Sequence, residues 1–243
     1  MLARYGGRIT KDQSAPAAFK MTSAGGRDRQ RQGAPGNSAS QLGLTTALTI
    51  AALAWGLVNF GVLLWLPASL ISEGHSVGLT SAIIARSALI SIPTIAIATY
   101  LYSFWSSKGV LILSIGITTL GLIATLLRNQ SSWVFLSNPL VSVTLMIVGS
   151  SGVISILMPY AAESFPIKQR GRATGWVAGW SKVGGVLAQG MAVGALVPAF
   201  GLAAGAIAIP TAASLLLIAT FGHETRGRDL RDLEAAVPLH ANS

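Results

Sequence analysis

The chain contains no cysteine, which excludes disulfide frameworks, thiolate metal sites and cysteine nucleophiles. Histidine is nearly as scarce. His75, His223 and His240 stand far apart, and none falls in a His-Glu-x-x-His or comparable zinc spacing. No metal, no cofactor and no enzyme activity are therefore expected. Charge is also in short supply: 10% of the 243 residues are charged, eight acidic against seventeen basic, where a soluble domain carries about a quarter. Apolar residues fill the difference, at 51% of the chain with a mean hydropathy of +0.60. Such a composition argues against a single water-soluble core. A net charge of +9 would suit a nucleic-acid binder if it lay along one face, so its distribution decides the matter.

Residues 1–42 interleave Arg4, Arg8, Lys11, Lys20, Arg27, Arg29 and Arg31 with Gly, Ser, Ala and Pro, and read as a disordered basic arm. The apolar core of a secretory signal, about 7 to 15 residues long, does not appear before Leu42. An organellar transit peptide remains the alternative reading of this Arg-rich, acid-poor stretch. From Leu44 the sequence turns into six apolar runs, at 44–66, 80–102, 109–127, 134–158, 174–197 and 200–221. Crossing a hydrocarbon core of about 30 Å takes around 20 helical residues. The expected fold is an all-α polytopic membrane protein, with six transmembrane helices over 43–222 and a tail at 223–243.

With six spans, the termini share a side with the second and fourth connections. Every basic residue but Arg86, Arg128 and Lys182 falls on that side. Cytoplasmic loops collect Lys and Arg, so both termini are expected in the cytoplasm of an integral protein of the plasma or inner membrane. Topology then accounts for the high charge, and no nucleic-acid partner is expected.

The most informative stretch joins the fourth and fifth spans: Pro159-Tyr-Ala-Ala-Glu163-Ser-Phe-Pro166-Ile-Lys-Gln-Arg170-Gly-Arg172-Ala-Thr-Gly175. It resembles the Tyr-x-x-Glu-x-Phe-Pro-x-x-x-Arg-Gly-x-x-x-Gly signature between the tenth and eleventh helices of major facilitator superfamily transporters, in the sugar-porter and organic-ion branches. After the last span, Glu224-Thr-Arg-Gly-Arg-Asp-Leu is similar to the tail that closes the same families. The resemblance covers about residues 44–234 and implies the carboxy-terminal six-helix half of a twelve-helix protein, built as a 3+3 inverted repeat with the solute path near the midplane. It implies alternating-access transport of a small organic solute. Leu64-Trp65 replaces the aromatic pair of sugar porters, and Ile154-Ser-Ile-Leu157 stands where their Trp just before the Tyr-x-x-Glu motif would be; these departures point from a sugar toward an organic ion. The 105–109 loop also lacks the Asp-Arg core of the family's Asp-x-x-Gly-Arg-Arg pattern, which weakens the charge network there. Ion-coupled symport is the expected mode for an anion. No span carries an Asp or Glu, so coupling would reside in the other half, or transport is uniport.

Substrate-binding candidates are the polar residues within spans: Asn59, Arg86, Asn138 and Gln189. Arg86 lies about 9 Å into the second span at 1.5 Å per residue; its guanidinium suits a carboxylate but also suits snorkelling to the interface. Gating candidates are Glu163 with Lys168, Arg170 and Arg172, and Glu224 with Arg226, expected to pair at the cytoplasmic face. Lys182, about 13 Å into the fifth span, joins the gating group; a basic residue before Gly-Gly is common in the family, and a structural role stays open. A lysine near a helix centre costs roughly 2.5–3.5 kcal/mol and needs a partner or water. Gly171, Gly175 and Gly179, with Gly190 and Gly194, predict a small-residue packing face. The expected partners are the lipid bilayer, a small organic solute, and a second six-helix half or a second copy. Two alternatives stand beside this reading. One is an intramembrane serine protease of rhomboid type on Gly149-Ser-Ser151-Gly152, which needs a base within reach of Ser151; the other is a non-transporting fragment.

Overall fold

Each apolar run becomes a helix in the computed structural model, which describes residues 38–128, 138–194 and 199–225. Most of the basic arm, the Asn129 to Ser131 region, Arg226 and the rest of the tail lie outside the described residues. The first rod consists of α1 (Ser38–Leu57), a π-helical turn (Val58–Val62) and α2 (Leu63–Ser72). Then follow α3 (Val77–Phe104), α4 (Ser107–Leu127), α5 (Pro139–Ser164), α6 (Ile167–Val193) and α7 (Phe200–Phe221). No strand occurs among the described residues. Five rods are long and apolar enough to cross a membrane, and the chain is an all-α polytopic membrane protein.

The sixth rod, α6, departs from expectation. It has 27 residues but is not among the five that meet the apolarity of a span. Its sequence explains the shortfall: it carries Lys168, Arg170, Arg172 and Lys182, and eight glycine and tryptophan positions of low transfer energy from Gly171 to Gly190.

Helix limits follow local chemistry. Ser76, Ser106 and Asn138 cap α3, α4 and α5 by accepting from the N–H groups of Leu79, Gly109 and Leu140 at 3.2, 2.8 and 2.9 Å. Pro139 takes the first helical position, where its missing N–H costs nothing. Asn138, expected inside the fourth span, is thus a cap at its end. The long 159–173 connection expected from the sequence is also corrected: α5 runs through Pro159 to Ser164, and α6 resumes at Ile167. Only Phe165 and Pro166 separate them, because Pro166 holds the residue before it extended, with Phe165 at φ −120°, ψ 149°. The first rod likewise starts at Ser38, ahead of the apolar run. Its 33-residue apolar part spans about 50 Å, so its polar first turn projects beyond a 30 Å hydrocarbon core.

Hydroxyl groups within the rods mostly bond to the carbonyl one turn back, as Thr45, Thr49, Thr118, Thr125 and Thr211 do at 2.7–2.9 Å, which satisfies them without water. The core has two parts. One gathers Leu48, Leu111, Leu157, Tyr160 and Ile218 from α1, α4, α5 and α7; the other gathers Val58, Leu66, Leu122, Met146 and Ile207. Around this centre α6 packs on α1 and α3 packs on α5. The α3 helix buries only Thr80, Ile83, Ser87 and Ala98.

Glycine decides where backbones touch. At the α1–α6 seam a Cβ on Gly56 would strike the Ser181 carbonyl, and one on Gly184 the Leu53 carbonyl. The expected packing stripe lies elsewhere: Gly171, Gly175, Gly179 and Gly190 have nothing within 4 Å of a built Cβ. Gly184 and Gly185 turn toward α1, and helical phase carries the other four to the outward side. There they alternate with exposed Lys182, Val186 and Val193, at spacings of three and four.

Candidate functional site

The π turn of the first rod forms because the Leu63 N–H reaches back to the Val58 carbonyl, five residues away. One turn on, Pro67 has no N–H to offer and crowds the Leu63 carbonyl. Widening the helix here displaces Asn59 and Phe60 from regular α-helical positions, and π turns of this kind concentrate at functional sites. Asn59 Nδ2 donates to the Trp55 carbonyl at 3.1 Å and to Ser150 Oγ of α5 at 2.5 Å. Trp55 Nε1 donates to the Ser150 carbonyl at 3.1 Å. Gln189 Nε2 of α6 donates to the Phe60 carbonyl.

Lys182 stands beside this group. Its Nζ lies 5.2 Å from the centroid of the Phe60 ring, whose edge-to-face partner is Trp55 at 6.2 Å. A cation–π contact at an exposed site is worth about 0.5–1 kcal/mol against a cost of roughly 2.5–3.5 kcal/mol for lysine at a helix centre. The ring offsets part of that cost and leaves the ammonium able to take an anion or water. Asn59, Gln189 and Lys182 therefore share one locality, which moves Lys182 away from the helix-end residues with which the sequence grouped it. Trp55, Phe60 and Ser150 were not among the candidates; an aromatic beside Asn59, directly before Gly61 and seven residues before Pro67, is the signal that marks the first rod.

Arg86 is exposed on α3 and has no hydrogen bond or ion pair among the described residues. Its neighbour Ser87 is buried and meets Thr144 Oγ1 of α5 at 3.0 Å. No contact joins Arg86 to the π-turn group.

The two sequence motifs meet at one end of the rods. Glu163 accepts from Tyr102 Oη at 2.5 Å and from Thr225 Oγ1 at 2.7 Å. Tyr160 Oη donates to the His223 carbonyl at 2.8 Å. Glu224 accepts from Ser106 Oγ at 2.5 Å and from the Ser107 N–H at 2.8 Å, placing a carboxylate at the positive end of α4. Lys108 Nζ closes the group on the Ala219 carbonyl at 2.6 Å. So Glu163 and Glu224 do come to one end, and among the described residues Glu163 is held by hydroxyl donors in place of the expected cations. Lys168 and Arg172 are exposed, the Nε and Nη2 atoms of Arg170 are buried without a partner, and Arg226 lies outside the described residues. The short Phe165–Pro166 link explains the change, since it starts α6 at once and carries its cations along that helix. At the opposite end, Arg128 pairs with Glu73.

Ser151 has no base beside it among the described residues: the His223 ring meets Ser40 Oγ at 3.4 Å, and His75 Nδ1 the Leu70 carbonyl at 3.1 Å. No three His, Asp or Glu among the described residues stand close enough to hold a metal. No protein-family model matches the chain, and no curated protein matches it.

Proposed function

We propose that this chain is a six-helix half of a facilitator-type secondary transporter that moves a small organic ion by alternating access, with both termini cytoplasmic. The observation that carries the reading is the π turn of a membrane-spanning rod, bearing Asn59 and met by Gln189 and Lys182 of α6, polar and cationic groups that hydrocarbon tolerates only beside protein or a water-filled path. Lys182 gives the locality a preference for an organic anion. Meeting of the Glu163 and Glu224 motifs at one end supports the resemblance, and their hydroxyl-bonded cluster is the gate in this reading. The α6 stripe of Gly171, Gly175, Gly179 and Lys182 is the face that meets a complementary half or a second copy, since small residues let membrane helices approach closely.

The test is uptake of a panel of radiolabelled mono- and dicarboxylates into liposomes containing the purified chain, with its mass measured in detergent. Activity confined to a dimer, or to the chain supplied with a complementary half, supports the reading. Robust uptake by a demonstrated monomer overturns it.

A further inference from the structure

A cavity of about 270 Å³ opens between the N-terminal halves of α1 and α6, at the same end as Glu163 and lined by none of the residues of the π-turn group. Its floor is apolar, made by Leu48, Phe165 and Val177; its rim carries Gln169, Arg172 and the Trp176 indole. Trp176 is held as a wall by its Nε1 bond to Thr49 Oγ1 at 2.9 Å and by Trp180, 5.8 Å away edge to face. None of this is used by the Glu163 cluster or by the π-turn group.

The charge around the cavity calls for an anion. The first turn of α6 contains no acidic residue, although a helix N-terminus favours one, and Arg172 adds its cation at the rim. Arg172 is exposed and without an ion pair among the described residues, so its guanidinium keeps its donors for a ligand. A bare anion would leave the Leu48–Phe165–Val177 floor unused. An amphiphile uses both parts, and a basic pocket at the end of membrane-spanning helices lies where anionic headgroups stand. The volume equals about nine waters at roughly 30 Å³ each, enough for a glycerophosphate but not for acyl chains. Those would leave through the open mouth and lie along α1 and α6.

We infer that this cavity is a binding site for the headgroup of an anionic phospholipid, with Arg172 and Gln169 on the phosphate and Trp176 beside the glycerol.

Native mass spectrometry of the full chain in detergent, titrated with dioleoylphosphatidylglycerol or dioleoylphosphatidylcholine, tests it. The expected result is about tenfold preference for the anionic lipid. Arg172→Ala should weaken that binding at least about fivefold, and Ala173→Phe, which fills the cavity and keeps every charge, should weaken it as much. Lys168→Ala, which removes an exposed cation outside the cavity, should change it less than about twofold. The thermal midpoint without lipid shows that each variant folds. Equal binding of the two lipids, or undiminished binding by both the Arg172 and Ala173 variants, overturns the inference. So does an equal loss in Lys168→Ala, which indicates a diffuse basic surface. Complete displacement of the lipid by millimolar inorganic phosphate overturns the lipid assignment in favour of a free-anion site.

Discussion

Thr225 Oγ1 donates to the Glu163 carboxylate at 2.7 Å, so the segment after the last helix is fastened to the end of α5. The same oxygen takes the Tyr102 hydroxyl at 2.5 Å, which adds α3. Hydrogen bonds to a charged group contribute about 1.5–3 kcal/mol, against 0.5–1.5 kcal/mol for neutral pairs. Glu163→Gln is therefore expected to lower stability by about 1 kcal/mol, and Glu163→Gln with Thr225→Val to lower it by less than the two single changes together. A double-mutant cycle of unfolding in detergent measures the coupling; strict additivity would show the contact to be energetically silent. Under the proposed transport function, Glu163→Gln should slow turnover more than it weakens solute binding, since its partners stand at a rod end. Unchanged turnover with much poorer binding would transfer Glu163 to the solute site.

Topology can be probed directly because the chain has no native cysteine. Ser131→Cys should react with an impermeant thiol reagent added outside, and Gln169→Cys only after the membrane is opened. Labelling of both from one side contradicts six crossings, and in particular the crossing by α5, which lies between the two positions.

Two glycines of α6 should behave oppositely. Gly184→Ala places a Cβ against the Leu53 carbonyl, a backbone group that cannot rotate away, and overpacking of this kind costs about 1–3 kcal/mol. Gly175→Ala meets nothing within 4 Å and, since alanine is favoured over glycine in a helix interior by up to about 1 kcal/mol, should raise the unfolding midpoint slightly. Gly175→Leu, by contrast, should disrupt association if the outward stripe is the partner face. Unaltered association of the Leu variant in a cross-linking assay removes that stripe from the interface.

The ammonium of Lys182 and the ring of Phe60 make a further pair. Phe60→Leu removes a contact worth about 0.5–1 kcal/mol, so uptake of an organic anion should fall by roughly 2- to 5-fold, while Lys182→Gln should abolish it. Arg86→Lys keeps charge but loses bidentate geometry; reduced uptake assigns Arg86 to a carboxylate, and equal uptake assigns it to the membrane interface. Retained uptake in Lys182→Gln would move the solute site away from the π turn.

Apolar run length and the scarcity of charge are enough by themselves to determine that the chain is helical and crosses a membrane, because hydrocarbon demands that every backbone group be satisfied within its own helix. Helix ends were legible for the last rod, where the 200–221 run coincides with α7, but not at Pro139, whose cap Asn138 reads as the interior of a span. Local rules could not tell that Pro159 stays inside α5, because whether a proline breaks a membrane helix depends on what surrounds its freed carbonyl. Nor could spacing alone choose between the glycines: Gly171 and Gly184 look alike in sequence, and only the seat of α6 on α1 buries one and exposes the other. The partners of Glu163 belong to the same class. Sequence places Arg170 and Arg172 nearest to it, yet direction matters more than proximity along the chain. Tyr102 and Thr225, 61 and 62 residues away, reach the carboxylate because the packing of α3, α5 and α7 brings their ends together, and that meeting is a property of the tertiary structure alone.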